Sequence, residues 1–556
     1  MIPRATALMV LCGLVTPGCE FLFPSFIPYH LSDFCVQFST LPVIGDWLPT
    51  LENAGIPKCA DPLSGEPFGA FITTSSINPT NWTRSEARNA YIDPLPPRGN
   101  LHILTNATVT RILFDTSDAT NLTATGVEYA FAKDGPRSSV QVRKEVILSG
   151  GAIGSPHVLL HSGVGPSDVL GSAGVDVKLD FPSVGQHLQD HVVGFLRMLL
   201  SLRPMKLTPV FPKRASVAWN TTAETLGTFQ RNGTGDGIPE GQSSPFLSYV
   251  NSAIAFANLS TMFGNTESAN YFQSQILGVV DTSANDLCPS KDGSVINGYK
   301  TIYRTTAEKF LLSGVGHLEL LLWGTGTSAT EEQTLSIQVA LQHPFSQGRI
   351  YINSSDPFDD PIIDPQYFSH FADLVSMREG IKLVRKIGQS LPLSEVLTDE
   401  VSPGANITTD EAIEAFLLNA VETEFHPGST LAMLPRDQGG VVDAKLKVYG
   451  LANVRVVDAS VFPTSLAAHV SPFPPSAIFC SLMRFFSFKH QFMCSLSRHR
   501  TSFAMTGYRH RLGQGLTART ITRAINLPVL HTLFSLPTWT LPLQSSRLFS
   551  FPHSHL

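Results

Sequence analysis

The chain of 556 residues is poor in cysteine, and its few cysteines follow no familiar spacing. None of the seven forms a C-x-x-C pair, so the sequence supports neither a zinc site nor a redox motif. Their odd number and wide separation also argue against a disulfide framework. No apolar run reaches the ~18 residues that a membrane span needs, so we expect none. A net charge of -6 gives no reason to expect a nucleic-acid partner.

Acidic residues are absent from residues 459–556, a stretch rich in Ser, Phe, Leu, Pro, Arg and His. Because native helices normally carry both charge signs, this composition is unlike that of a packed domain. We therefore expect residues 471–556 to be an aberrant, disordered basic tail, translated from intron or frame-shifted sequence. The alternative is a basic tail that binds an acidic partner. Residues 1–46 are equally irregular.

The amino terminus and the sequons both favour secretion. Arg4 is followed by the apolar run ALMVLCGLV, which is typical of a signal peptide, although no clear A-x-A cleavage site follows. N-x-[ST] sequons, the acceptor sites of N-glycosylation, occur at Asn81, Asn106, Asn121, Asn220, Asn232, Asn258, Asn353 and Asn406. These features predict an extracellular glycoprotein.

Two histidines, His426 and His469, flank a segment that predicts a strand, a turn and a second strand. Gly439-Gly440 opens the turn, and residues 441–443 and 454–458 are short apolar runs. Pairing of these strands would bring the imidazoles together at the ends of the elements, where catalytic groups usually lie. Two neutral imidazoles that face one pocket can take a proton from a hydroxyl and orient it.

A glycine-rich stretch, GGAIGSPHVLLHSGVGP at residues 150–166, is the most specific motif in the chain. It follows the short apolar strand at residues 146–148 and predicts a helix that begins at Ser155-Pro156, because proline favours the first helical position. Glycines after a strand let the backbone approach a cofactor closely, and a helix amino terminus favours anionic groups. The alternative is a plain strand-turn-helix corner.

Hydrophobic periodicity predicts several elements elsewhere. Alternating patterns predict strands at residues 100–104 and 107–113, and a strand with one solvated face at residues 335–341. Longer periodic runs predict helices at residues 371–387 and 410–421.

Two short patterns bear on the start of a helix and on a metal site. Thr408 and Glu411 suit a capping box at the start of the last predicted helix. His187 and His191 stand four residues apart, as in a helical metal pair, but Leu188 occupies the position where a zinc peptidase needs glutamate. No metal site is predicted.

Three motifs together resemble one enzyme family. HPGST, VVDASVFP and AAHV, between residues 426 and 470, resemble the carboxyl-terminal signature of the glucose-methanol-choline (GMC) oxidoreductases, and most of all their fungal aryl-alcohol oxidase and dehydrogenase branch. The stretch at residues 150–166 fits the second signature of that family. FPSVGQHLQDHV, at residues 181–192, resembles its domain junction. The resemblance extends over about residues 47–470.

The resemblance implies a mixed α/β (α+β) fold of the GMC two-domain type. An incomplete FAD-binding domain is expected beside a substrate domain, in which helices back an antiparallel sheet. The expected organisation is a signal-like segment at 1–46, the remaining FAD-binding part with its adenine-side strands at 47–195, the substrate-binding domain at 196–410, the carboxyl-terminal FAD-binding part at 411–470, and the tail at 471–556.

Membership of this family would imply an FAD-dependent oxidoreductase that acts on the CH–OH group of a small-molecule alcohol, with oxygen or a quinone as electron acceptor. His426 matches the catalytic base of the family, and His469 matches its hydrogen-bonding partner. General-base help of this kind is worth ~10²–10⁴ in rate, whereas the flavin performs the electron chemistry.

Four further residues match positions that contact FAD in the family. The backbone of Val109 matches the position against the adenine, and the backbone of Phe425 matches the position along the flavin ring. Asp458 and Ala459 match the turn near the pyrophosphate and the ribityl chain. Core packing is the alternative for Val109 and Ala459.

Two family features are missing. The strand, G-x-G-x-x-G turn and helix that normally cradle the pyrophosphate cannot be found, and neither can the first signature motif. Ser471 stands where the family usually has an amide residue. The alternative function is therefore a non-catalytic, truncated GMC remnant that is unable to hold FAD, and whether the chain is an active enzyme is left open.

Overall fold

Short helices alternate with the strands of several sheets in the computed structural model, which describes residues 42–73, 87–118, 120–193, 216–221, 253–323 and 334–469. The strands are β1 (Gly69–Ile72), β2 (Thr108–Asp115), β3 (Thr123–Ala130), β4 (Ser138–Gln141), β5 (Val146–Leu148), β6 (Val164–Gly165), β7 (Leu179–Asp180), β8 (Gln186–Leu188), β9 (Val192–Val193), β10 (Ser216–Thr221), β11 (Ala253–Ala257), β12 (Leu318–Trp323), β13 (Thr334–Leu341), β14 (Gly348–Tyr351), β15 (Ile362–Asp364), β16 (Leu397–Ser402), β17 (Glu422–Thr423) and β18 (Val454–Val456).

The α-helices of these ranges are α1 (Pro42–Gly45), α2 (Trp47–Asn53), α3 (Ala87–Tyr91), α4 (Gly151–His161), α5 (Ser167–Ser172), α6 (Leu259–Phe263), α7 (Thr266–Gly278), α8 (Val280–Leu287), α9 (Gly293–Thr305), α10 (Phe371–Gly388) and α11 (Asp410–Ala420). A π-helical segment covers Thr306–Phe310, and 3₁₀ turns cover Leu393–Glu395, Arg436–Gln438 and Ala459–Val461. No helix within the described ranges is long and apolar enough to cross a bilayer.

An antiparallel sheet in the order β1-β11-β12-β13-β10-β16 packs in the largest of three hydrophobic clusters of the described residues, and β9 and β17 extend the sheet beside β13. The predicted strand at residues 335–341 is confirmed as β13, but the prediction of one solvated face is wrong. Every residue of β13 is buried, including the polar Ser336 and Gln338. One face packs on α10, and Ala340 on the other face belongs to a small apolar cluster against which Ala467 packs. Burial on both faces is a tertiary effect that alternation along one strand does not reveal.

Helix α10 lies unusually close to this sheet. A Cβ atom built on Gly388 would lie 2.4 Å from Cζ2 of Trp219 in β10, and one built on Gly380 would lie 2.6 Å from Val339 in β13. Two glycines on the buried face therefore let the helix backbone approach the strands. The predicted helices at 371–387 and 410–421 are confirmed as α10 and α11. The cap of α11 is Thr409 rather than Thr408, because the Thr409 hydroxyl oxygen accepts from the backbone N–H of Ala412.

A second core forms around α4, β5 and β18. Val454–Val456 pairs in parallel with Val146–Leu148. The predicted pairing of residues 441–443 with 454–458 is therefore wrong, since Val442 makes only an isolated bridge, to Val448. A parallel partner from a distant part of the chain has replaced the local hairpin, and a sequence pattern cannot distinguish between these two pairings.

The helix after the glycine motif starts earlier than predicted. It begins at Gly151, so Pro156 lies inside it rather than at its start. The first free backbone N–H, that of Gly151, donates to the carboxylate of Asp458 at 3.0 Å, so a distant acid takes the place of a local cap. The predicted strand at residues 100–104 is also wrong, because these residues form no regular structure.

The two separate cores agree with the mixed two-domain fold. Part of the first predicted FAD-binding segment packs with the larger sheet, since β1 pairs with β11 and the Trp47 indole N–H donates to the backbone oxygen of Ile254 at 3.0 Å. The domain boundaries stay a prediction. The tail at 471–556 and the segment at 1–41 lie outside the described residues.

Candidate active site

Residues 424–428, which follow β17, are hydrogen-bonded to residues 189–191, which precede β9. The two strands pair with each other, and the backbone N–H of Gly428 donates to the backbone oxygen of Gln189 at 2.8 Å. Between these contacts the backbone N–H of His426 donates to the carboxylate of Asp190 at 3.0 Å. The hydroxyl of Tyr367 donates to the other oxygen of Asp190 at 2.6 Å. His426 is therefore held by its backbone at the junction of the two cores.

The imidazole of His426 is buried against a second histidine. Its Nδ1 lies 3.0 Å from Nδ1 of His191, and the ring planes are nearly perpendicular, at 83°. Oε2 of Glu424 lies 3.6 Å from each of these nitrogens. Burial lowers the pKa of His426, and the Glu424 carboxylate only partly opposes this effect. Within the described residues the Nε2 atom of His426 makes no hydrogen bond, so it is the nitrogen left for a reacting group.

The imidazole of His469 packs edge-to-face against that of His426. Its ring centroid is 5.0 Å from that of His426. Its Nε2 lies 2.8 Å from Oε1 of Glu319, a carboxylate in β12 that is completely buried. The amide of Gln342 donates to the other oxygen of Glu319 at 2.9 Å. The structure thus brings together the two histidines that the sequence singles out, and it adds a buried acid beside one of them.

Opposite electrostatic environments surround the two imidazoles. Burial would lower the pKa of His469, but the charge and hydrogen bond of Glu319, helped by Glu424, raise this pKa to about 9. Burial likewise would raise the pKa of Glu424, but His191, His426 and the charge of His469 hold it well below its usual range. Near neutral pH, His426 is therefore neutral and His469 is protonated. Two neighbouring groups with pKa values pushed apart are the usual sign of a base and an electrophilic partner.

Two of the four predicted cofactor residues are exposed in a way that suits a large planar ligand. Phe425 directly precedes the base, has a φ of 61°, and is 69% exposed. A positive φ is uncommon for a bulky residue, and such strain clusters at functional sites. Val109 in β2 is 39% exposed, and Ile147 in β5 is 53% exposed. Apolar side chains left open on these elements are surfaces that a bound flavin nucleotide would cover.

The other two predicted cofactor residues lie deeper. The carboxylate of Asp458 is buried and accepts from the backbone N–H of Gly151 and the hydroxyl of Ser155. This carboxylate is therefore hydrogen-bonded within the protein and caps the start of α4. Ala459 is half-buried, and its backbone oxygen accepts from the backbone N–H of Ser429. Gly151 has a φ of 74° and open space where a Cβ would stand, so the residues present at this helix end fit a cofactor placed close to the backbone.

Metal-ligand atoms also converge in the pocket. His191, Glu424 and His426 form one set of three, and Glu319, Glu424 and His469 form another; within each set the ligand atoms lie within 4.8 Å of one another. The two Nδ1 atoms lie at hydrogen-bond distance from each other, as do His469 and Glu319, whereas Oε2 of Glu424 has no hydrogen-bond partner among the described residues.

Sequence reasoning missed several members of this site. Glu319 had a visible signal, because it is the one charged residue in the apolar run LELLLW at residues 318–323. An acid there must be paired once both faces of its strand are buried. His191 and Asp190 carried no local signal that points to His426, because 235 residues separate the two histidines.

Two parts of the chain, residues 42–193 and 344–473, match the GMC oxidoreductase family model. They correspond to its amino-terminal and carboxyl-terminal regions, and they contain His191, His426 and His469 but not Glu319. The matched regions and the structural neighbours define a flavoprotein-type fold. The chain belongs to the GMC oxidoreductase family.

Individual relatives agree with this assignment. The chain is 41% identical over 415 residues to the GMC oxidoreductase family protein Mala s 12 of Malassezia sympodialis, an alignment that covers 74% of this chain and 60% of the relative. It is similar to the FAD-dependent oxidoreductase from Chaetomium thermophilum, with a TM-score of 0.66, 27% identity, and coverage of 81% and 72%. A new fungal aryl-alcohol oxidase gives a TM-score of 0.67 and 25% identity, with coverage of 83% and 72%.

The comparisons confirm the family, the two-domain fold and FAD as its cofactor. The chain spans about 60% of the length of the Malassezia protein that it matches. The roles of His426, His469, Val109, Phe425, Asp458 and Ala459 stay predictions, as do the substrate and the electron acceptor.

Proposed function

We propose that this chain oxidises the CH–OH group of a small-molecule alcohol, with His426 as the base. The observation that carries the proposal is the pair of imidazoles whose ring centroids lie 5.0 Å apart. The pKa of His426 is lowered by burial, whereas Glu319 raises the pKa of His469. FAD, when bound, supplies the acceptor for the hydride. Val109, the backbone of Phe425, Ala459 and the helix end at Gly151 are the residues that would hold it.

The part played by His426 follows from its surroundings. Its Nδ1 is engaged by the Nδ1 of His191, so Nε2 is the atom that accepts the hydroxyl proton. A lowered pKa keeps the ring unprotonated at neutral pH, as a base requires. The hydrogen bond from the backbone N–H of His426 to Asp190 fixes the main chain from which the ring extends.

His469 is the proposed hydrogen-bond donor to the alcohol, where His426 is the proton acceptor. As a protonated imidazole it can donate to the alcohol oxygen and orient that oxygen toward His426. It also stabilises the negative charge that develops on this oxygen when the proton leaves, an electrostatic contribution that grows where water is excluded. A primary or aryl alcohol is the proposed substrate, and oxygen or a quinone is the proposed electron acceptor.

The deciding experiment is to express the full chain, purify it in the presence of FAD, and record absorbance at about 350–500 nm, where flavins absorb. Retained flavin absorbance, together with alcohol-dependent bleaching without air, would support the proposal. Hydrogen peroxide formation in air, compared with reduction of a quinone, would then identify the acceptor. Protein that stays colourless at saturating FAD, or whose flavin no alcohol reduces, would favour the alternative of a remnant that cannot hold FAD.

We also propose that the protein is secreted and N-glycosylated. Four of its sequon asparagines, Asn106, Asn121, Asn353 and Asn406, are exposed and so accessible to a glycosyltransferase. Expression in a fungal secretory host, followed by peptide N-glycosidase treatment, should lower the apparent mass. Unchanged mobility, or retention of the protein inside the cell, would reject this proposal.

A further inference from the structure

Helix α4 carries two histidines that the proposed function does not use. His157 and His161 stand four residues apart, so their side chains lie on the same face of the helix. Their Nε2 atoms are 3.0 Å apart, and the ring planes are nearly perpendicular, at 84°. Two histidines at this helical spacing form the zinc-binding pair of the H-E-x-x-H motif. We refer to His157 and His161 as the α4 histidine pair.

The distance between the two Nε2 atoms fits ligation of a single metal ion. With metal–nitrogen distances of about 2.0–2.1 Å, two nitrogens 3.0 Å apart subtend an angle of about 91–97° at the ion. This angle is close to the right angle between neighbouring ligands in square-planar and octahedral coordination, and it is smaller than the ~109° of a tetrahedral zinc site. Copper(II) and nickel(II) prefer the former geometry and bind imidazole well. The geometry therefore favours these two ions over zinc.

A direct hydrogen bond between the rings is the alternative, but the backbone around them leaves it one hydrogen short. Burial lowers the pKa of both rings, to about 4 for His161, so both are neutral near pH 7 with one N–H each. Both also form hydrogen bonds to the backbone, His157 to Asp359 and His161 to Ser355, which act against the effect of burial. Carbonyl oxygens only accept, so three contacts compete for two hydrogens. An ion between the Nε2 atoms removes this competition, because each ring then keeps its N–H for the backbone, as metal-bound histidines usually do.

An acidic loop beside the α4 histidine pair provides a favourable charge. This loop connects β14, which packs on α4, to β15. The carboxylates of Asp356, Asp359 and Asp360 act electrostatically on the pair. Lys133 forms ion pairs with Asp356 at 3.0 Å and with Asp359 at 2.7 Å, and the guanidinium of Arg137 lies over an aromatic ring of the same loop. Three carboxylates outnumber these two cations, so the local field attracts a divalent ion.

We propose that the α4 histidine pair chelates a divalent transition-metal ion of the copper(II) or nickel(II) type through both Nε2 atoms, with water in the remaining positions. The site shares no residue with the candidate active site and does not depend on the proposed function. Because both ligands lie on α4, the ion braces the helix whose other end, at Gly151, is proposed to hold FAD.

Chemical footprinting of the full chain tests this site directly. Diethyl pyrocarbonate acylates imidazole nitrogens that are not bound to a metal, and mass spectrometry of the resulting peptides identifies each acylated histidine. We expect Cu²⁺ to protect the half-buried His157, whereas the exposed His102 stays reactive. Acylation of His157 that Cu²⁺ does not reduce would overturn the proposal. Protection of His426 or His469 at lower Cu²⁺ than His157 would place the metal in the pocket instead, and would also overturn it.

Removal of one ligand shows whether both rings hold the ion. In His161→Gln, the free Cu²⁺ concentration that half-protects His157 should rise by at least about 10–100-fold, the loss of affinity that even an outer-shell substitution causes. His102→Gln is the matched control, since it removes an exposed histidine outside α4 and should leave this concentration unchanged. An unchanged concentration in folded His161→Gln would reject chelation. If His161→Gln fails to fold, as judged by circular dichroism, the footprint of the unmodified chain still decides.

The choice of ion separates the histidines from the acidic loop. Ni²⁺ should protect His157 as Cu²⁺ does, at a higher concentration that follows the usual order of affinities. Ca²⁺ should give no protection, because it binds oxygen ligands and not imidazole. Equal protection by Ca²⁺ would assign the binding to the carboxylates of the loop and overturn the proposed ligands.

Discussion

The Nδ1 atoms of His191 and His426 lie 3.0 Å apart, and both rings are buried. Two nitrogens at this distance share one proton, so one ring donates and the other accepts. For His426 to act as a base, its Nδ1–H must donate to Nδ1 of His191, because only this arrangement leaves a lone pair on Nε2. A contact between two histidines far apart in sequence therefore decides which atom of the proposed base faces the substrate.

Replacing the proposed base should remove most of the activity. For His426→Ala we expect kcat for alcohol oxidation to fall by about 10²–10⁴, the usual contribution of general-base catalysis. Steady-state rates near pH 7.5 would measure this change. His102→Ala is the control, since His102 is exposed and lies outside the pocket. A loss below about tenfold, in protein that retains its flavin absorbance, would assign the base to another residue.

Glu424 should set the acid limb of the pH profile. Its carboxylate raises the pKa of His426 and so opposes the effect of burial. Activity needs neutral His426 and is therefore present above this pKa and lost below it. Glu424→Gln should lower the pKa further and move the acid limb of kcat/KM to lower pH by about one unit.

The pH dependence of kcat/KM in Glu424→Gln can also contradict this prediction. If the limb moves to higher pH in Glu424→Gln, Glu424 does not act on His426 as a charge. Glu411→Gln, the same substitution on the exposed surface of α11, should leave the profile unchanged.

Asp458 should matter for stability whether or not FAD is present. Its buried carboxylate accepts from Gly151, Ser155 and the backbone N–H of Ser460. Asp458→Ala leaves these donors without their acceptor, and we expect the free energy of unfolding to fall by about 3 kcal/mol. Urea unfolding of the flavin-free protein would measure this change. Asp134→Ala, in an exposed turn, should stay within about 0.5 kcal/mol. Equal stability of the two variants would contradict the capping role.

The close packing of α10 gives a prediction that is independent of the site. Gly388→Ala would place Cβ against the Trp219 ring, and we expect a loss of about 1–3 kcal/mol, as for other overpacked positions. Gly171→Ala is the matched control, because no atom lies within 4 Å of a Cβ built at this helical position. The control should be neutral or stabilising by up to about 1 kcal/mol. Thermal unfolding of both variants would compare them, and a stable Gly388→Ala protein would show that the helix can shift away.

Local sequence patterns were sufficient for much of the fold. The helices at 371–388 and 410–420 and the strand at 334–341 were predictable because their periodicity extends over many residues. The prediction of a strand at 100–104 was wrong because alternation over five residues is too short to exclude a loop. The predicted start of α4 was wrong for a different reason: the acid that caps Gly151 lies 307 residues further along the chain.

The sequence by itself determined the family, the cofactor class and the two candidate histidines, because these depend on contiguous motifs. Only the tertiary structure decided what those histidines can do. It placed the buried Glu319 beside His469 and the buried His191 against His426. The physical reason is that the charge of an imidazole depends on burial and on the acids within a few ångströms, and the acid that bonds to His469 comes from a strand 150 residues away in the chain.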